Sequence, residues 1–260
     1  MTHLRFTGSA TADEFRAAVS AVSYWYHSFR FTNGYEVRGD YDIAPNVHEY
    51  GFGDVAGLDV LDVGSASGWF SAWLEQQGAR LTTFDLVGTR QLDTYGEFGR
   101  AVGGQPDAEW VKGATVMGEL LGSRAERFYG RIYELPQVLG DRKFDLVFMG
   151  ALLLHLRDPI GALMAARSVC RARLIATTWF IPDEPLRSEP RPICDLPALD
   201  DTPAGRNVWW RPNRSACRLW LEAAGFCDVD VGRTVTLTAD TVDAAHFNST
   251  QTLLLAHGHV

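Results

Sequence analysis

The sequence has few lysines and no excess of positive charge. Only two of its 24 basic residues are lysines, against 32 acidic residues, and the formal net charge is −8. A surface that binds along a nucleic-acid backbone needs the opposite sign of charge. The composition therefore favours a small molecule as the partner and argues against nucleic acid.

The sequence also lacks an apolar run long enough to cross a bilayer. Its longest, FDLVFMGALLLHL at 144–156, is well short of the roughly 20 residues that a spanning helix needs. The first residues, MTHLRFTGSATADEF, have neither the basic start nor the apolar core of a secretory signal. We therefore predict a cytoplasmic protein without membrane contact.

Paired cysteines are missing too. Cys170, Cys194, Cys217 and Cys227 form no C-x-x-C motif and have no pair of histidines nearby. This spacing argues against a zinc site and against a disulfide framework. With no clear cluster of carboxylates either, we expect no metal site and four reduced, mostly buried thiols. Oligomeric state cannot be inferred from these patterns.

The N-terminal part begins with a helix signal. Thr11 and Glu14 have the spacing of a capping box, and Phe15 starts an apolar series at helical spacing, which predicts a helix over about 12–24. The segment YWYHSFRFTNGYEVRGDYD follows and is crowded with aromatic residues. We predict that residues 1–57 form an N-terminal helical and aromatic cap extension.

From residue 58 onward, short apolar strands alternate with helices. The strand candidates LDVLDV, LTTFDL, FDLVFMG and RLIATTW are followed by a helix from Pro212 to Gly225 and a last pair of strands. The alternation predicts an α/β fold with a parallel sheet and helices on both faces. We assign residues 58–260 to this domain, with a lid-like insertion at about 180–212, because that proline-rich segment is too long for a simple connection.

The loop DVGSASGWF, residues 62–70, joins the first strand of this domain to its first helix. Such a loop lies at the carboxyl edge of the sheet, where open α/β folds bind ligands. Ala66 replaces the middle glycine of the dinucleotide fingerprint and no third glycine follows, while the P-loop lysine is absent. These departures argue against a phosphate site and against an NAD-linked oxidoreductase.

Two carboxylates accompany the loop. Asp85 ends the second strand, 21 residues beyond Gly64, where an acid can accept both hydroxyls of a ribose. Asp62 ends the first strand and offers a carboxylate to an amino group or a cation. An adenosyl-like ligand without phosphate fits both acids, although the loop could also be a plain turn between strand and helix.

Together these features resemble the class I methyltransferases that bind S-adenosylmethionine, in which the usual loop is D-x-G-x-G-x-G. RIYELPQVLGDRKFDLVFMGALLLHLRDPIGAL and NVWWRPNRSACRLWLEAAGF resemble segments of the enzymes that modify tRNA wobble uridine, and YWYHSFRFTNG resembles the entry segment of their bacterial relatives. The similarity covers roughly residues 24–238. It implies a Rossmann-like seven-stranded methyltransferase sheet and S-adenosylmethionine as the cofactor.

The cofactor site expected from the loop, its carboxylates and this resemblance comprises Asp62, Gly64, Ser65, Ala66, Gly68, Asp85, Leu86, Ile132, Tyr133, Glu134, Met149 and Gly150. The resemblance implies that residues 132–134 line the adenine pocket and that residues 149–150 flank the methionine end. The wobble-uridine enzymes use a carboxylated cofactor, which a tyrosine directly before a histidine helps to bind. Leu154 stands there in this sequence, and leucine cannot pair with a buried carboxylate, so we expect ordinary S-adenosylmethionine.

Two histidines are candidates for the chemistry. His155 follows the fourth strand at the edge of the cleft and could act as a general base, or it could instead cap a helix and order HLRDP. His27 could close over the cleft from the N-terminal segment. Tyr24, Trp25 and Tyr26 beside it could form a flat cap over the acceptor, or simply attach the extension to the core.

Aromatic and basic residues elsewhere could complete the acceptor site. Trp179, Trp209 and Arg211 are the candidates, with Arg206 and Arg214 nearby. Solvated arginines paired with Asp200, Asp201 and Glu222 are the alternative. The sequence thus predicts a methyltransferase that acts on oxygen or nitrogen of a small metabolite by in-line transfer. A tRNA carboxymethyl transferase and a cofactor-binding regulator without turnover remain the alternatives.

Overall fold

The computed structural model describes residues 4–88, 93, 109–181, 191–196, 208–240 and 250–260. The helices within these residues are α1 (Ala12–Ser20), α2 (Trp69–Gln76), α3 (Glu109–Leu121), α4 (Leu135–Leu139), α5 (Pro159–Val169) and α6 (Arg214–Ala223). The strands are β1 (Phe29–Arg30), β2 (Glu36–Val37), β3 (Tyr41–Asp42), β4 (Asp59–Val63), β5 (Arg80–Asp85), β6 (Glu126–Tyr129), β7 (Phe144–Met149), β8 (Cys170–Thr178), β9 (Cys194–Asp195), β10 (Arg211–Pro212), β11 (Cys227–Asp230), β12 (Thr234–Ala239) and β13 (Gln251–His259).

One large sheet organises the fold. Its strands lie in the order β3-β12-β13-β8-β7-β4-β5-β6, and β11 also pairs with β13. The five strands from β6 to β8 run parallel, whereas β13 is antiparallel to β8 and to β12. The predicted Rossmann-like sheet is confirmed by the seven strands from β6 to β12. The short strands β3 and β11 extend it. Strand β11 is additional because the segment CDVDVGRTVTL forms two strands, β11 and β12, instead of one.

Helices cover both faces of the sheet, as predicted. Phe15 of α1, Leu74 of α2 and Met117 of α3 belong to one hydrophobic cluster. Leu135 of α4 and Leu163 of α5 belong to a second cluster, together with residues of α6. Parallel strands covered on both faces read as continuous apolar runs, which is why β4 and β7 are recognisable in the sequence.

The N-terminal segment shares the first of these clusters. Phe6 packs edge to face on Trp69 with the ring centres 5.7 Å apart. The capping box of α1 is formed, since Thr11 and Glu14 exchange side-chain to backbone hydrogen bonds. The helix nevertheless ends at Ser20, earlier than predicted, because the chain then turns Val22 into the core. The boundary at residue 57 stays a prediction.

Two further expectations differ from the structure. Helix α6 starts at Arg214, with the Asn213 side chain as its cap, so Pro212 does not open it. Cys170 and Cys217 are buried but Cys194 and Cys227 are exposed, because the latter begin the short strands β9 and β11. The expectation of mostly buried thiols was therefore wrong for two of the four.

Some sequence expectations fall outside the described residues. The lid-like insertion falls largely on 182–190 and 197–207, as do Arg206, Asp200 and Asp201. No described helix is long and apolar enough to span a membrane. Within the same residues no group of three or more histidine, cysteine or acidic side chains could hold a metal ion.

Candidate functional site

A cavity of about 400 Å³ lies along the carboxyl edge of the parallel strands. The loops after β4 to β8 form its floor, and the segment from Tyr24 to Tyr50 forms part of its wall. Of the predicted site residues, those that line it are Tyr24, Tyr26, His27, Asp62, Gly64, Ser65, Ala66, Asp85, Leu86, Ile132, Tyr133, Gly150, His155 and Trp179. The structure therefore brings most of the predicted residues into one concave site.

The loop after β4 is shaped by residues with positive φ. Gly64 has φ of +76°, and a Cβ there would lie 3.3 Å from a methyl carbon of Leu152. Ala66 has φ of +48°, a left-handed conformation that costs a residue with a Cβ roughly 1–2 kcal/mol. Its backbone N–H donates to Asp85 Oδ2 at 3.0 Å, so a hydrogen bond accompanies the strained conformation.

Both oxygens of Asp85 accept hydrogen bonds from backbone. The N–H of Leu86 donates to Oδ1 at 2.7 Å, and that of Ala66 donates to Oδ2. These contacts fix the carboxylate at the cavity wall. Because each carboxylate oxygen has two lone pairs, Asp85 can still accept hydrogen bonds from a ligand.

Asp62 is an acid held away from water. Its side chain is only 1% exposed, and it accepts a hydrogen bond from Ser71 Oγ at 2.5 Å. Burial raises the pKa of Asp62 to about 7, with the charge of Asp85 adding to the effect and the Ser71 hydrogen bond opposing it. Near neutral pH this group can therefore hold a proton or balance a cation.

Asp93 connects two walls of the cavity. Its carboxylate accepts hydrogen bonds from Arg131 Nη2 at 2.5 Å, from the hydroxyl of Tyr133 and from the backbone N–H of Arg157. The indole N–H of Trp209 donates to the backbone carbonyl of Asp93. The loop after β6 is thereby fastened to the residues that precede α6.

The predicted residues outside the cavity wall are Gly68, Glu134, Met149, Trp25, Trp209 and Arg211. Met149 and Trp25 point into the hydrophobic core, and the Glu134 carboxylate accepts a hydrogen bond from the backbone of Arg131. Arg211 forms an ion pair with Asp195 at 2.7 Å. Gly68 instead lies where α2 meets α3.

The two histidines occupy different surroundings. His155 ends a single turn of 3-10 helix, Leu153–His155, and Asp158 rather than His155 caps α5 by accepting from the N–H of Gly161. Asp158 is thus the cap of α5, and the role of His155 stays a prediction. His27 is buried, and burial lowers its pKa to about 3.

Several lining residues were missed by the sequence analysis. They are Asp40, Tyr41, Tyr50, Asp93, Arg131, Phe148, Leu152, Leu237 and Gln251, among others. Tyr41 and Tyr50 lie in or just after the aromatic N-terminal segment, so the density of aromatic residues could have indicated them. Asp93 follows no motif, and Gln251 reaches the cavity only because β13 runs antiparallel to β8.

The family to which the chain belongs follows from a comparison with protein-family models. The model described as a methyltransferase domain matches residues 35–231. This range covers β4 to β8 and every loop that forms the floor of the cavity. The chain belongs to this methyltransferase family. Its domain is a methyltransferase domain, in agreement with the resemblance found in the sequence.

Curated relatives of this methyltransferase from several bacteria are named tRNA U34 carboxymethyltransferase. The one from Idiomarina loihiensis is 28% identical over 180 residues, which is 68% of this chain and 48% of that protein. The one from Pseudomonas fluorescens is 26% identical over 246 residues, which is 90% of this chain and 65% of that protein. The chain thus spans about half the length of the first of these relatives and less than two thirds of the second.

The fold is shared with a solved crystal structure. The N-terminal domain of EvdMO1, crystallised in the presence of S-adenosylhomocysteine (SAH) and D-fucose, superposes with a TM-score of 0.63 at 18% identity. The match covers 100% of this chain and 99% of that one. At this identity the likeness shows the fold alone.

S-adenosylmethionine is the cofactor that the resemblance of the sequence to this methyltransferase family implies. When bound, it supplies a methyl group on a positively charged sulfonium. The described lining fits a cation, because it carries the carboxylates of Asp40, Asp62, Asp85 and Asp93, and Arg131 is its only arginine or lysine. Because the Arg131 guanidinium already pairs with Asp93, the wall is acidic on balance.

Proposed function

We propose that this methyltransferase transfers the methyl group to an oxygen or nitrogen of a small molecule held in the cavity. The observation that carries the proposal is the enclosure of the carboxyl edge by the N-terminal segment. Tyr24, Tyr26 and His27 line the cavity together with the loop after β4, and about 400 Å³ is left for ligands. A space of this kind suits small molecules.

The cofactor would lie at the end of the cavity formed by β4, β5 and β6. In this proposal Asp85 accepts the ribose hydroxyls, while Ile132 and Tyr133 line the adenine. Asp62 lies nearest the buried floor, where its carboxylate can balance a positive charge. Gly150, at the end of β7, leaves room beside the methionine end.

The chain's residues would favour transfer mainly by alignment and by exclusion of water. A cofactor held there would supply its methyl group to the acceptor atom, with the sulfur as the leaving group that keeps the electron pair. A proton leaving the acceptor passes to His155, which lines the cavity and whose imidazole can serve as a general base.

Leu154 supports the plain cofactor over its carboxylated form. Its side chain is buried in the cavity wall and offers no hydrogen bond. Arg131, the one described cation of the lining, is already paired with Asp93. A second carboxylate among these aspartates would be left without a partner, which is costly in a buried site.

A calorimetric titration tests whether the protein prefers the plain cofactor to its carboxylated form. We expect S-adenosylmethionine to bind at least about tenfold more tightly than its carboxylated analogue, a difference of about 1.4 kcal/mol. Leu154→Tyr supplies a hydroxyl donor and should reduce this difference in affinity between the two cofactors. Leu156→Met is a volume-conserving change at another lining position and should leave the difference unchanged. Tighter binding of the carboxylated analogue by the wild type would contradict the proposal.

The relatives' name supplies the second candidate, a transfer to tRNA wobble uridine. It predicts binding of tRNA that weakens steeply as salt increases. Mixtures of small acceptors and tRNA, incubated separately with labelled cofactor, distinguish the two by where the label goes. Label in tRNA would make the second candidate correct, and cofactor binding without any labelled product would indicate a regulator.

A further inference from the structure

The order of the strands separates the cavity into two ends. Asp85 ends β5 and Ile132 follows β6, whereas Trp179 follows β8 on the other side of β4 and β7. Gln251 starts β13 and Leu237 belongs to β12, so these residues lie further still along the edge. Since neighbouring strands are about 4.8 Å apart, the two groups cannot contact the same part of a ligand. We call the second group, with Tyr26, His27, Asp40, Tyr41 and Tyr50, the far end.

Aromatic rings form the walls of the far end. Tyr26 lies against Tyr41 with the ring centres 5.1 Å apart, and Tyr50 meets Phe70 edge to face at 4.9 Å. Phe148 packs on Phe70 at 4.7 Å. These contacts fix the rings, so a ligand finds rigid flat surfaces instead of flexible chains.

The polar groups of the far end are almost all uncharged at neutral pH. Burial raises the pKa of Tyr41 to about 12 and that of Tyr26 and Tyr50 well above the ordinary tyrosine value. Burial lowers the pKa of His27 to about 3, so the ring is a neutral imidazole. Asp40 is the one carboxyl group here, and it accepts a hydrogen bond from the Tyr24 hydroxyl at 2.7 Å.

Some of these polar groups lack partners within the described chain. His27 Nδ1 is buried and has no hydrogen-bond partner there. The Tyr26 and Tyr50 hydroxyls are not sealed off in the same way, so in the cavity wall they are open to a ligand. Buried polar groups normally pair, so unpaired ones in a cavity wall indicate a ligand that completes them.

Two hydrogen bonds connect three side chains of the far end. The indole N–H of Trp179 donates to Gln251 Oε1 at 2.5 Å, and Gln251 Nε2 donates to the Tyr41 hydroxyl at 3.0 Å. This chain of hydrogen bonds holds the Trp179 ring at the wall of the cavity. A ring-shaped ligand therefore has an indole with a defined orientation to lie against.

We infer, on the basis of the proposed methyl transfer, that the acceptor is an uncharged ring compound bearing hydroxyl groups. Its ring lies against Trp179 and Tyr26, and its hydroxyls hydrogen-bond to His27 and to the Tyr26 and Tyr50 hydroxyls. An anionic acceptor would place its charge among neutral phenols and beside Asp40, with no described cation at this end to pair with it. A saturated sugar-like ring and a phenolic ring share the required chemistry.

A matched panel of acceptors tests the inference. One arm compares a neutral hexose with its uronic acid, its 6-phosphate and its 2-amino derivative, and the other compares catechol with protocatechuate and dopamine. Product mass and SAH formation are measured, along with thermal stabilisation by each compound in the presence of SAH. We expect a neutral member of at least one arm to react at least about tenfold faster than its charged counterparts.

The outcomes separate the inference from the function on which it rests. Faster methylation of a charged counterpart, or transfer to the amine, would leave methyl transfer to small molecules standing and overturn the inference. Binding of S-adenosylmethionine without product or acceptor-dependent stabilisation from any compound would overturn both. Whichever arm reacts identifies the ring as saturated or aromatic.

Variants that lack a single hydroxyl group test the contact between the acceptor and the tyrosines of the far end. Tyr50→Phe and Tyr26→Phe remove one hydroxyl each and should raise the acceptor KM about 5- to 10-fold, the effect of one lost hydrogen bond, with cofactor affinity unchanged. Tyr35→Phe is the control, because Tyr35 belongs to the same segment but packs on Phe15 outside the cavity. If both cavity variants matched this control in acceptor KM, the inference would be wrong.

Discussion

The backbone N–H of Ala66 donates a hydrogen bond to the Asp85 carboxylate at 3.0 Å. Ala66 belongs to the loop after β4 and Asp85 ends β5, so this bond joins two neighbouring strands where the cavity begins. The acid that is proposed to hold the ribose therefore also holds the loop in its left-handed conformation. A change to either residue affects the other.

Asp85→Asn should weaken the binding of S-adenosylmethionine by about 1–3 kcal/mol, because hydrogen bonds to a charged acceptor contribute this much. Calorimetric titration measures the change. Asp141→Asn is the control, since Asp141 is exposed and outside the cavity wall. Equal cofactor affinity in the two variants would remove Asp85 from the cofactor site.

Ala66→Gly should stabilise the folded protein, by up to about 1 kcal/mol. The substitution relieves a positive φ, but the greater freedom of glycine in the unfolded chain offsets part of the gain. Urea unfolding measures the difference.

Gly64→Ala is the opposite change at a position with φ of +76°, and it should destabilise the protein because its Cβ meets Leu152. A destabilised Ala66→Gly variant would show that the alanine methyl has a packing role.

The stability of the ligand-free protein should depend on the ionisation of Asp62. Between the unfolded pKa of 3.8 and the folded pKa of about 7, the folded protein keeps a proton on Asp62 that the unfolded chain has released. The stabilisation is therefore complete below pH 3.8 and is lost as the pH rises through 7.

Asp62→Asn isolates this effect. The free energy of unfolding of the wild type minus that of the variant should decrease steadily from pH 4 to pH 7.5, as measured by urea unfolding. His27, with a lowered pKa, changes stability with pH in the opposite direction. Because it does so in both proteins, its contribution cancels when the two free energies of unfolding are subtracted. A difference that is independent of pH would show that Asp62 ionises normally.

Asp93→Asn should loosen the connection between the loop after β6 and the residues before α6. Loss of the charge beside Arg131 and Tyr133 should reduce the free energy of unfolding by about 1–3 kcal/mol and raise amide exchange at 153–158 and 208–210. Asp195→Asn breaks the partly exposed pair with Arg211 and should cost less than about 1 kcal/mol. Equal losses in both variants would mean that Asp93 does not fasten the two walls.

The sequence predicted the sheet and the floor of the site because both depend on local patterns. Apolar runs mark β4, β5 and β7, and the loop from Gly64 to Gly68 stands out between a strand and a helix. Met149 and Gly150 show the limit of such patterns. Every residue at the end of β7 is apolar or small, so nothing in the sequence tells which side chain faces the core and which faces the cavity.

Other parts of the site depend on tertiary pairing. Asp93 contacts Arg131 and Trp209, which lie far from it in sequence, and no local rule predicts that meeting. Gln251 reaches the cavity because β13 inserts antiparallel between β8 and β12. Arg211 was expected at the acceptor site on chemical grounds, but the two-residue pairing of β9 with β10 places it beside Asp195 instead.

The backbone N–H of Tyr26 donates to Ser67 Oγ at 2.9 Å, so the segment that walls the far end is attached to the loop at the other end. The two parts are therefore not interchangeable modules. Recombination that exchanged the first 57 residues between related enzymes to change the acceptor would also alter one support of the glycine loop. In this architecture, new acceptor specificity and cofactor affinity would have to evolve together.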